Sequence, residues 1–481
     1  MTPDAAAAAP GPSERRVASN TAVQVAGKAV VVLIGLGSIA VLTRYLGAEG
    51  YGKFSLALTY VQAFGVLADI GLFTIVVREL ARRPERAEQL VGNALTVRAV
   101  LSVVVIALAA SISLLLPYEP DVRVAIVIAG VPFLLGLLNT SLVAIFQARL
   151  QMGFVVVSET AGRAAAFVAA VAVAALDLGF YAVLGAAAVG ALVALAITWR
   201  FARRVTTVRF RADPAVIREL VRASLPLGLA LALNEIYFRV DTLIISLSRS
   251  IEEVGLYALA YRVLELAATF PAVFLASVFP VLSRYVADGD QRVRPTVQAA
   301  TDVFVLVGVP LAAGGLVLAP AVVELAAGSD FADSATPLRI LMFAAALSFV
   351  NGLFGYCLIA ADRQLRALWL NATALAVNVV LNIILVPRYG IDAAAAVTVF
   401  SELVVLGGCF LLMRRYLGLF PSFATLPRVL LAATVMAAVL WPLREGPVLA
   451  LVPLGVLLYG GLAAALGAVD RAALRRMGIG R

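Results

Sequence analysis

Charged side chains occur inside the apolar stretches of this 481-residue chain, where they need a chemical explanation. The richest group lies at 234–241 and holds two acids and one cation within two helical turns. In a helix, Asn234 and Asp241 share one stripe, and Glu235 and Arg239 share the neighbouring one. A guanidinium binds anions through paired hydrogen bonds, and the proton affinity of a desolvated carboxylate changes with its surroundings. The segment therefore predicts a site for ions or charged substrates.

Four other apolar segments also carry a cation. A charge inside hydrocarbon is costly, so such residues face the interior of a helix bundle or a water-filled cavity. The predicted substrate ligands are these cations, the cation of the first group and two polar side chains: Lys28, Arg98, Arg163, Arg239, Arg262, Asn234 and Asn378. Lys28 and Arg98 also lie close enough to the ends of their segments for their charges to reach the membrane interface.

Acidic residues occupy the same kind of segment and have two alternative roles. The candidates are Asp69, Glu159, Glu235, Asp241 and Glu265, with Glu402 as a further buried acid. These acids could couple transport to a proton or Na⁺ gradient. Alternatively, they only neutralise neighbouring cations. Glu159 with Arg163, and Arg262 with Glu265, have the spacing of helical ion pairs.

The composition excludes several other kinds of site. The chain has no histidine, and its two cysteines, Cys357 and Cys409, both lie in apolar segments. Zinc centres, histidine-based catalysis and a disulfide framework therefore have few residues to build on. We recognise no nucleotide-binding loop, paired metal ligands or nucleophile constellation. We expect a protein that is not an enzyme and uses no cofactor, with a proton or Na⁺ gradient as its candidate energy source.

Long apolar segments must position these residues, and they follow one another along the whole chain. The composition is 62% hydrophobic and 14% charged, with a mean hydropathy of +1.00. A segment of about 20 apolar residues can cross a bilayer as a helix. The predicted spans are 21–43, 54–77, 95–116, 122–147, 154–176, 178–199, 223–247, 255–282, 299–326, 337–361, 365–386, 391–413, 424–441 and 447–468. This pattern predicts an all-α polytopic membrane protein with about fourteen transmembrane helices.

The basic residues mark one side of this topology. The net charge is +9, and arginines concentrate in alternate loops, above all between Arg200 and Arg222. Acids such as Glu252 and Glu253 fall in the other loops. The positive-inside rule then places both termini and the Arg-rich loop in the cytoplasm. Because topology accounts for the positive charge, we expect a multi-pass protein of the cell membrane that contacts membrane lipids and has no nucleic-acid partner.

The two halves of the chain are weakly similar. Gly52, after the first span, aligns with Gly255, after the seventh, and Gly179 aligns with Gly390 in the same order. We predict two six-helix lobes related by a pseudo-two-fold axis along the membrane normal, followed by two more helices. The predicted organisation is a disordered cytoplasmic N-terminus (1–20), an N-lobe (21–200), an inter-lobe loop (201–222), a C-lobe (223–415) and two helices with a cytoplasmic tail (416–481).

Several motifs resemble one known family. Residues 43–52, Thr-Arg-Tyr-Leu-Gly-Ala-Glu-Gly-Tyr-Gly, are similar to a signature of Wzx-type polysaccharide flippases. Residues 254–258, 279–283 and 378–394 resemble later motifs of that family, although Asp392-Ala393 departs from its usual small residue plus glycine. From about Asn20 to Arg415, the chain resembles the multidrug/oligosaccharidyl-lipid/polysaccharide (MOP) exporter superfamily.

The resemblance implies a function in cell-surface polysaccharide biosynthesis. Wzx-type flippases move undecaprenyl-pyrophosphate-linked oligosaccharides from the inner to the outer leaflet, so the resemblance implies this activity. We expect it to proceed by alternating access around a central cavity. A cationic cavity suits the pyrophosphate, because arginine forks match phosphate oxygens. The expected partners are the lipid-linked oligosaccharide and a polysaccharide polymerase.

Three alternatives stand beside this interpretation. An ion-coupled drug exporter of the same superfamily would have an acid-dominated cavity. A lipid II flippase would share the pattern from Tyr257 to Glu265, but the arginine and aspartate of its first span have no clear match within 31–40. A membrane glycosyltransferase or polymerase would need a long catalytic loop, and no loop of the predicted topology is long enough.

Overall fold

The computed structural model describes residues 12–468 of the chain. Within its helices, the side chains of residues 12–26, 28–29, 229–232 and 234 lie outside the described part. Residues 12–468 form helices and turns, and none of them lies in a strand. The helical protein that the hydropathy predicts is confirmed.

Fifteen α-helices account for most of the described residues. They are α1 (Pro12–Asp69), α2 (Leu72–Arg82), α3 (Ala87–Ser113), α4 (Pro120–Ala148), α5 (Met152–Ala175), α6 (Phe180–Ala202), α7 (Pro214–Tyr237), α8 (Val240–Ser248), α9 (Ile251–Ala267), α10 (Thr269–Ala287), α11 (Val293–Ala327), α12 (Ala335–Ala360), α13 (Gln364–Leu417), α14 (Leu426–Leu440) and α15 (Val448–Ala465). Three short 3₁₀ turns connect some of them.

The first helix begins earlier than the hydropathy predicts. Residues 12–20, expected to be disordered, belong to α1, whereas residues 1–11 lie outside the described part. Pro12 opens the helix, where its missing N–H costs nothing, and alanine, glutamate and arginine residues that favour helix follow it.

Two of the long helices bend at a glycine and each supplies two spans. Gly47 in α1 has φ 64° and ψ −177°, and Gly390 in α13 has φ 69° and ψ −156°. This backbone region is open almost only to glycine, because a Cβ would clash there. Gly179, aligned with Gly390 by the repeat, has the same conformation before α6 (φ 84°, ψ 176°). The repeat therefore preserves a turn geometry.

The number of spans follows from these bends. Among the described residues, eleven helical stretches are long and apolar enough to cross a membrane. Two of them bend at Gly47 and Gly390, and α7 with α8 forms the span predicted at 223–247. Fourteen spans result, as the sequence predicts.

The chain divides into two compact units. In the described chain, one unit runs to Leu42 and resumes over Ala57–Glu235, and the other contains Thr43–Leu56 and continues from Ile236. The first unit buries a core between α2, α3 and α4 that includes Leu72, Leu90 and Leu142. The second buries aromatic side chains such as Phe304 and Phe349.

Glycines allow close helix contacts within each unit. In the first, a Cβ added at Gly190 would lie 2.7 Å from the carbonyl oxygen of Gly162, so α5 and α6 approach through their backbones. In the second, a Cβ at Gly52 would lie 2.0 Å from the carbonyl oxygen of Ile251. A Cβ at Gly255 would lie 2.1 Å from that of Ala48. The glycines that the repeat aligns thus meet each other.

Candidate functional site

A buried carboxylate lies where the seventh span is broken. Helix α7 ends at Tyr237 and α8 begins at Val240, so Asp241 stands in the first turn of α8. Its exposed fraction is 3%. The positive end of a helix dipole stabilises an acid in this position. The break therefore places a negative charge inside the second unit.

Neutral donors hold this carboxylate. Oδ2 of Asp241 accepts hydrogen bonds from the Tyr257 hydroxyl at 3.1 Å and from the Thr398 hydroxyl at 2.8 Å. Its Oδ1 accepts one from Nδ2 of Asn382 at 2.8 Å. Among the described residues, no lysine or arginine forms an ion pair with Asp241. The charge is stabilised by dipoles alone.

Asparagines of α13 extend this group into an oxygen cluster. Nδ2 of Asn382 also reaches Oδ1 of Asn378 at 2.9 Å, and Nδ2 of Asn378 reaches the Ser401 hydroxyl at 3.2 Å. Oδ1 of Asn382 is buried and has no hydrogen-bond partner among the described residues. We call Asp241, Asn378, Asn382 and Thr398 the oxygen cluster. Such a set of oxygens suits a hard cation or a proton.

A second buried acid, Glu402, lies in the same unit. Its Oε1 accepts from the Tyr237 hydroxyl at 3.1 Å, and its Oε2 accepts from Nδ2 of Asn351 at 2.7 Å. The exposed fraction of Glu402 is 7%. Both donors are neutral, so this carboxylate is also buried without a partner cation in the described chain.

The first unit contains a buried ion pair. The Arg98 guanidinium of α3 donates to Oδ1 of Asp69, the last residue of α1, and Nη1 donates to the Ser141 hydroxyl at 3.0 Å. The Arg98 side chain is 1% exposed and that of Asp69 is 31% exposed. The sequence predicts Arg98 as a substrate ligand and Asp69 as an ion-coupling residue or a counter-charge. The structure brings them together, and the Arg98 charge does not extend to the interface.

The second span is broken directly after Asp69, the residue that pairs with Arg98. Ile70 has φ 41° and Gly71 has φ 74°, so the chain turns sharply between α1 and α2. Gly228 of α7 packs against the turn, where an added Cβ would lie 2.4 Å from the carbonyl carbon of Ile70. The backbone of this unit is thus irregular beside its ion pair. Membrane proteins tolerate irregular backbone at membrane depth only where other parts of the protein, or a water-filled cavity, surround it.

The other predicted residues are spread over the two units. Arg262 and Glu265 form an ion pair of 2.5 Å, with 42% and 39% of their side chains exposed. Glu159 and Arg163 are exposed on α5, and Glu235 and Arg239 are half-buried. The side chains of Lys28 and Asn234 lie outside the described part of the structure.

The oxygen cluster joins residues of two helices, α8 and α13, and part of it was not predicted from the sequence. The sequence predicts Asp241 as an ion-coupling residue or a counter-charge, and Asn378 as a substrate ligand. The structure buries Asn378 in the cluster. Tyr257 and Thr398 were not candidates. A signal for Thr398 exists, because Thr398, Ser401 and Glu402 form a polar stripe at helical spacing on an otherwise apolar span.

The site does not have the composition of a transition-metal centre. Among the described residues, no group of three or more histidine, cysteine or acidic side chains is placed to hold a metal ion. The oxygen cluster contains one carboxylate and three neutral side chains, which gives it a formal charge of −1. A monovalent cation or a proton would neutralise that charge.

Comparison with known proteins places this architecture in a family. The profile described as "Polysaccharide biosynthesis protein" matches residues 17–286, and the MatE profile matches residues 226–384. The "Probable low-salt glycan biosynthesis flippase Agl15" of Haloferax volcanii is 26% identical over 166 residues, covering 34% of this chain and 35% of that protein. The aligned region thus spans about a third of that relative.

Solved structures share the fold. The lipid II flippase MurJ in an inward closed conformation has a TM-score of 0.77 at 12% identity, covering 92% of this chain and 97% of that one. An inward-facing multidrug resistance MATE family transporter of the MOP superfamily has a TM-score of 0.68 at 15% identity, covering 81% and 94%. At these identities the likeness shows the fold alone.

The family match covers more than half of the chain and agrees with the motifs at 43–52 and 254–258. The helical fold is that of transporters and flippases, and its fourteen spans make it a multi-pass membrane protein. The chain belongs to the polysaccharide biosynthesis protein family.

Proposed function

We propose that the protein moves an undecaprenyl-pyrophosphate-linked oligosaccharide from the inner to the outer leaflet by alternating access. The observation that carries the proposal is a division of charge within the second unit. Asp241 is buried and held by neutral donors, whereas Arg239 and Arg262 keep part of their surface exposed. The first arrangement suits a driving cation, and the second suits a large anionic substrate.

The arginines are the proposed ligands of the pyrophosphate. A guanidinium offers several N–H groups, so Arg262 can keep one hydrogen bond to Glu265 and direct others to a phosphate. Arg239 stands at the break between α7 and α8, at the N-terminal end of a helix, where anions also bind. Arg163 on α5 is a further candidate of the first unit.

An apolar cavity of the second unit suits the lipid chain. It has a volume of about 430 Å³ and lies among α9, α11, α12, α14 and α15. Its lining includes Leu306, Pro310, Met342, Met436 and Tyr459. The two helices that follow the predicted repeat, α14 and α15, therefore help to build it. We assign one segment of the prenyl chain of the substrate to this cavity.

The oxygen cluster is the proposed coupling site. A bound Na⁺ would be held by the Asp241 carboxylate and by side-chain oxygens of Asn378, Asn382 and Thr398, and a proton would be held by Asp241 itself. Either cation removes the buried negative charge, whose desolvation is costly. Binding therefore stabilises one packing of α8 against α13, and release favours another.

The proposed orientation follows the loop charges. Both termini and the loop at 201–222 face the cytoplasm, the protein resides in the plasma membrane, and the lobes comprise residues 21–200 and 223–415. A polysaccharide polymerase would take up the translocated product. Labelling of single cysteines at Arg209 and Glu252 with an impermeant reagent tests this orientation, which predicts that only the second is reached from outside.

The substrate assignment is tested by arginine variants in cells that depend on the protein. Arg239→Ala and Arg262→Ala should abolish glycan export and cause a lipid-linked glycan to accumulate on the inner leaflet. Lysine at either position should restore only part of the activity, because a point charge cannot reproduce two parallel hydrogen bonds. Arg366→Ala, at the predicted cytoplasmic end of the span 365–386, is the matched control. Normal export by both alanine variants, with altered drug resistance instead, would favour a drug exporter.

The coupling assignment is tested in proteoliposomes with imposed gradients. Asp241→Asn should retain substrate binding but make transport independent of the proton and Na⁺ gradients. Glu402→Gln is the comparison variant and should keep the gradient dependence. Loss of the dependence in Glu402→Gln alone would move the coupling site to that residue.

A further inference from the structure

The end of α6 forms a basic cavity that the proposed transport cycle does not use. Ala196, Arg200 and Arg203 recur at helical spacing along one face, and Trp199 and Arg204 flank them. These five residues line a cavity of about 510 Å³. All three guanidinium groups are exposed. Three positive charges therefore share one concave surface of the first unit.

These arginines differ from others of the same unit in their partners. Arg86 pairs with Glu219 at 3.1 Å, and Arg211 pairs with Glu88. In the described part of the chain, no carboxylate forms an ion pair with Arg200, Arg203 or Arg204. Acids of the first unit thus neutralise Arg86, just before α3, and Arg211, in the loop after α6. They leave the cavity at the end of α6 positively charged.

The topology alone does not explain this arrangement. The positive-inside rule requires basic residues near the ends of spans, but not their grouping around a cavity without acids. Guanidinium groups match phosphate oxygens, and a tryptophan ring suits the interface between headgroups and acyl chains. Arg204 lies 5.7 Å from the centre of the Phe201 ring, which holds its charge beside the cavity.

We propose that this cavity binds the phosphate of an anionic phospholipid as a resident lipid of the membrane. The guanidinium groups of Arg200, Arg203 and Arg204 contact the phosphate, and Trp199 packs against the glycerol and upper acyl chain. Ala196 leaves room for the lipid below the charged groups. Bound there, the lipid compensates the charge at the end of α6. The chemistry that the site recognises is a phosphoryl group whose negative charge is not compensated by an ammonium in the same headgroup. A free phosphate has this chemistry too, whereas phosphatidylcholine does not.

Trp199 provides the test, because the chain has three tryptophans and the other two can be removed. In a Trp369→Phe, Trp441→Phe background, the full-length protein is reconstituted in phosphatidylcholine vesicles. Brominated phosphatidylglycerol should then quench Trp199 more than brominated phosphatidylcholine at equal content, with a selectivity of roughly fivefold or more at low salt. Equal quenching by the two lipids would overturn the proposal.

Variants assign the selectivity to this cavity. Arg200→Gln, Arg203→Gln and Arg204→Gln together should reduce the selectivity to about one, whereas the three lysine substitutions should retain part of it. Arg209→Gln, in the following loop, is the matched control and should change little. Selectivity that survives in the triple glutamine variant would show that the lipid binds elsewhere.

Inorganic phosphate distinguishes the two sources of the phosphoryl group. For a lipid site, millimolar phosphate should leave the fluorescence of Trp199 in pure phosphatidylcholine unchanged. A phosphate-dependent change without preference for phosphatidylglycerol would identify a site for free phosphate and overturn the lipid assignment. Because the readout is lipid selectivity, its outcome does not depend on whether the protein transports glycans.

Discussion

At the scale of single residues, the two units treat buried charge in different ways. The first neutralises Asp69 with Arg98, and the second surrounds Asp241 with hydroxyl and amide groups. An ion pair keeps its net charge through a transport cycle, whereas a lone carboxylate changes charge whenever it gains or loses a cation. This difference is why we place coupling at Asp241 and a structural role at Asp69.

The Arg98–Asp69 pair gives a prediction about stability. Arg98→Ala leaves an acid without its partner and should lower the stability of the detergent-solubilised protein by about 3 kcal/mol. The double variant Arg98→Met, Asp69→Leu should recover most of that loss, because it removes both charges. Thermal melting of the single and double variants measures both effects.

Transport separates the structural role of Asp69 from a coupling role. The double variant should still respond to the driving gradient. A stable double variant that transports substrate without any response to the gradient would assign coupling to Asp69.

Sequence reasoning finds the charged residues of these sites but not their partners. Asp241 and Asp69 stand out because acids are rare in apolar spans. The partners Asn382 and Thr398 are 141 and 157 residues away from Asp241 along the chain. Helical spacing predicts contacts only within a helix, so Glu265 was identified for Arg262 but Asp69 was not identified for Arg98.

At the scale of elements, the glycines of the signature motifs have a packing role. Helix α1, beyond its bend at Gly47, meets α9 where Gly52 lies against Ile251 and Gly255 lies against Ala48. Arg44 donates to the carbonyl oxygen of Leu325 at 2.8 Å and thereby satisfies the end of α11. The motif at 43–52 is therefore a contact surface of the second unit, although the chain passes through the first unit on either side of it.

This contact predicts a strong effect of a small substitution. Gly52→Val should destabilise the protein by roughly 1–3 kcal/mol or more, because the side chain would overlap a backbone carbonyl. Gly35→Ala on the same helix is the matched control, since an added Cβ there meets nothing within 4 Å. Melting of the two variants in detergent tests the contact. Equal melting temperatures would mean that α1 and α9 do not pack as described.

A filled cavity should affect lipid binding more than stability. At Gly314 of α11, an added Cβ meets only the Met436 methyl carbon at 4.0 Å, so Gly314→Phe should extend into the apolar cavity. We expect reduced transport of substrates with a full-length prenyl chain and unchanged transport of a short-chain analogue. Gly460→Phe on α15 is the control outside the cavity lining. Equal inhibition of both substrates would place the lipid chain elsewhere.

The ion pair between α7 and the turn that joins α2 to α3 gives a prediction about pH. Arg86 donates to Glu219 and holds the pKa of this carboxyl below its usual value. In the unfolded chain this carboxyl has a pKa of about 4.3, and at a pH above that value its ionised form stabilises the fold. This contribution is lost as the pH falls through the lower pKa that the carboxyl has in the folded protein. Glu219→Gln should therefore reduce the drop in melting temperature between pH 7 and pH 3.5. An unchanged drop would show that other acids cause it.

At the scale of the whole molecule, hydropathy alone predicts the helical architecture and the number of spans. Each span needs about 20 apolar residues, and this requirement holds whatever the helices pack against. The breaks at 70–71 and 238–239 were not predicted, because a hydropathy profile averages over about 20 residues and does not resolve a break of two residues. They depend on tertiary partners, such as Gly228 against Ile70, which a hydropathy profile does not contain.

We propose that this molecule translocates a lipid-linked oligosaccharide and is driven by a cation bound at Asp241. The most direct measurement uses proteoliposomes with an undecaprenyl-pyrophosphate oligosaccharide in one leaflet and a sugar-specific enzyme outside to detect its arrival. We predict gradient-dependent arrival with the wild-type protein, gradient-independent arrival with Asp241→Asn, and none with Arg239→Ala. Arrival at the same rate in protein-free vesicles, or in all three proteins with and without a gradient, would rule out cation-driven translocation by this protein.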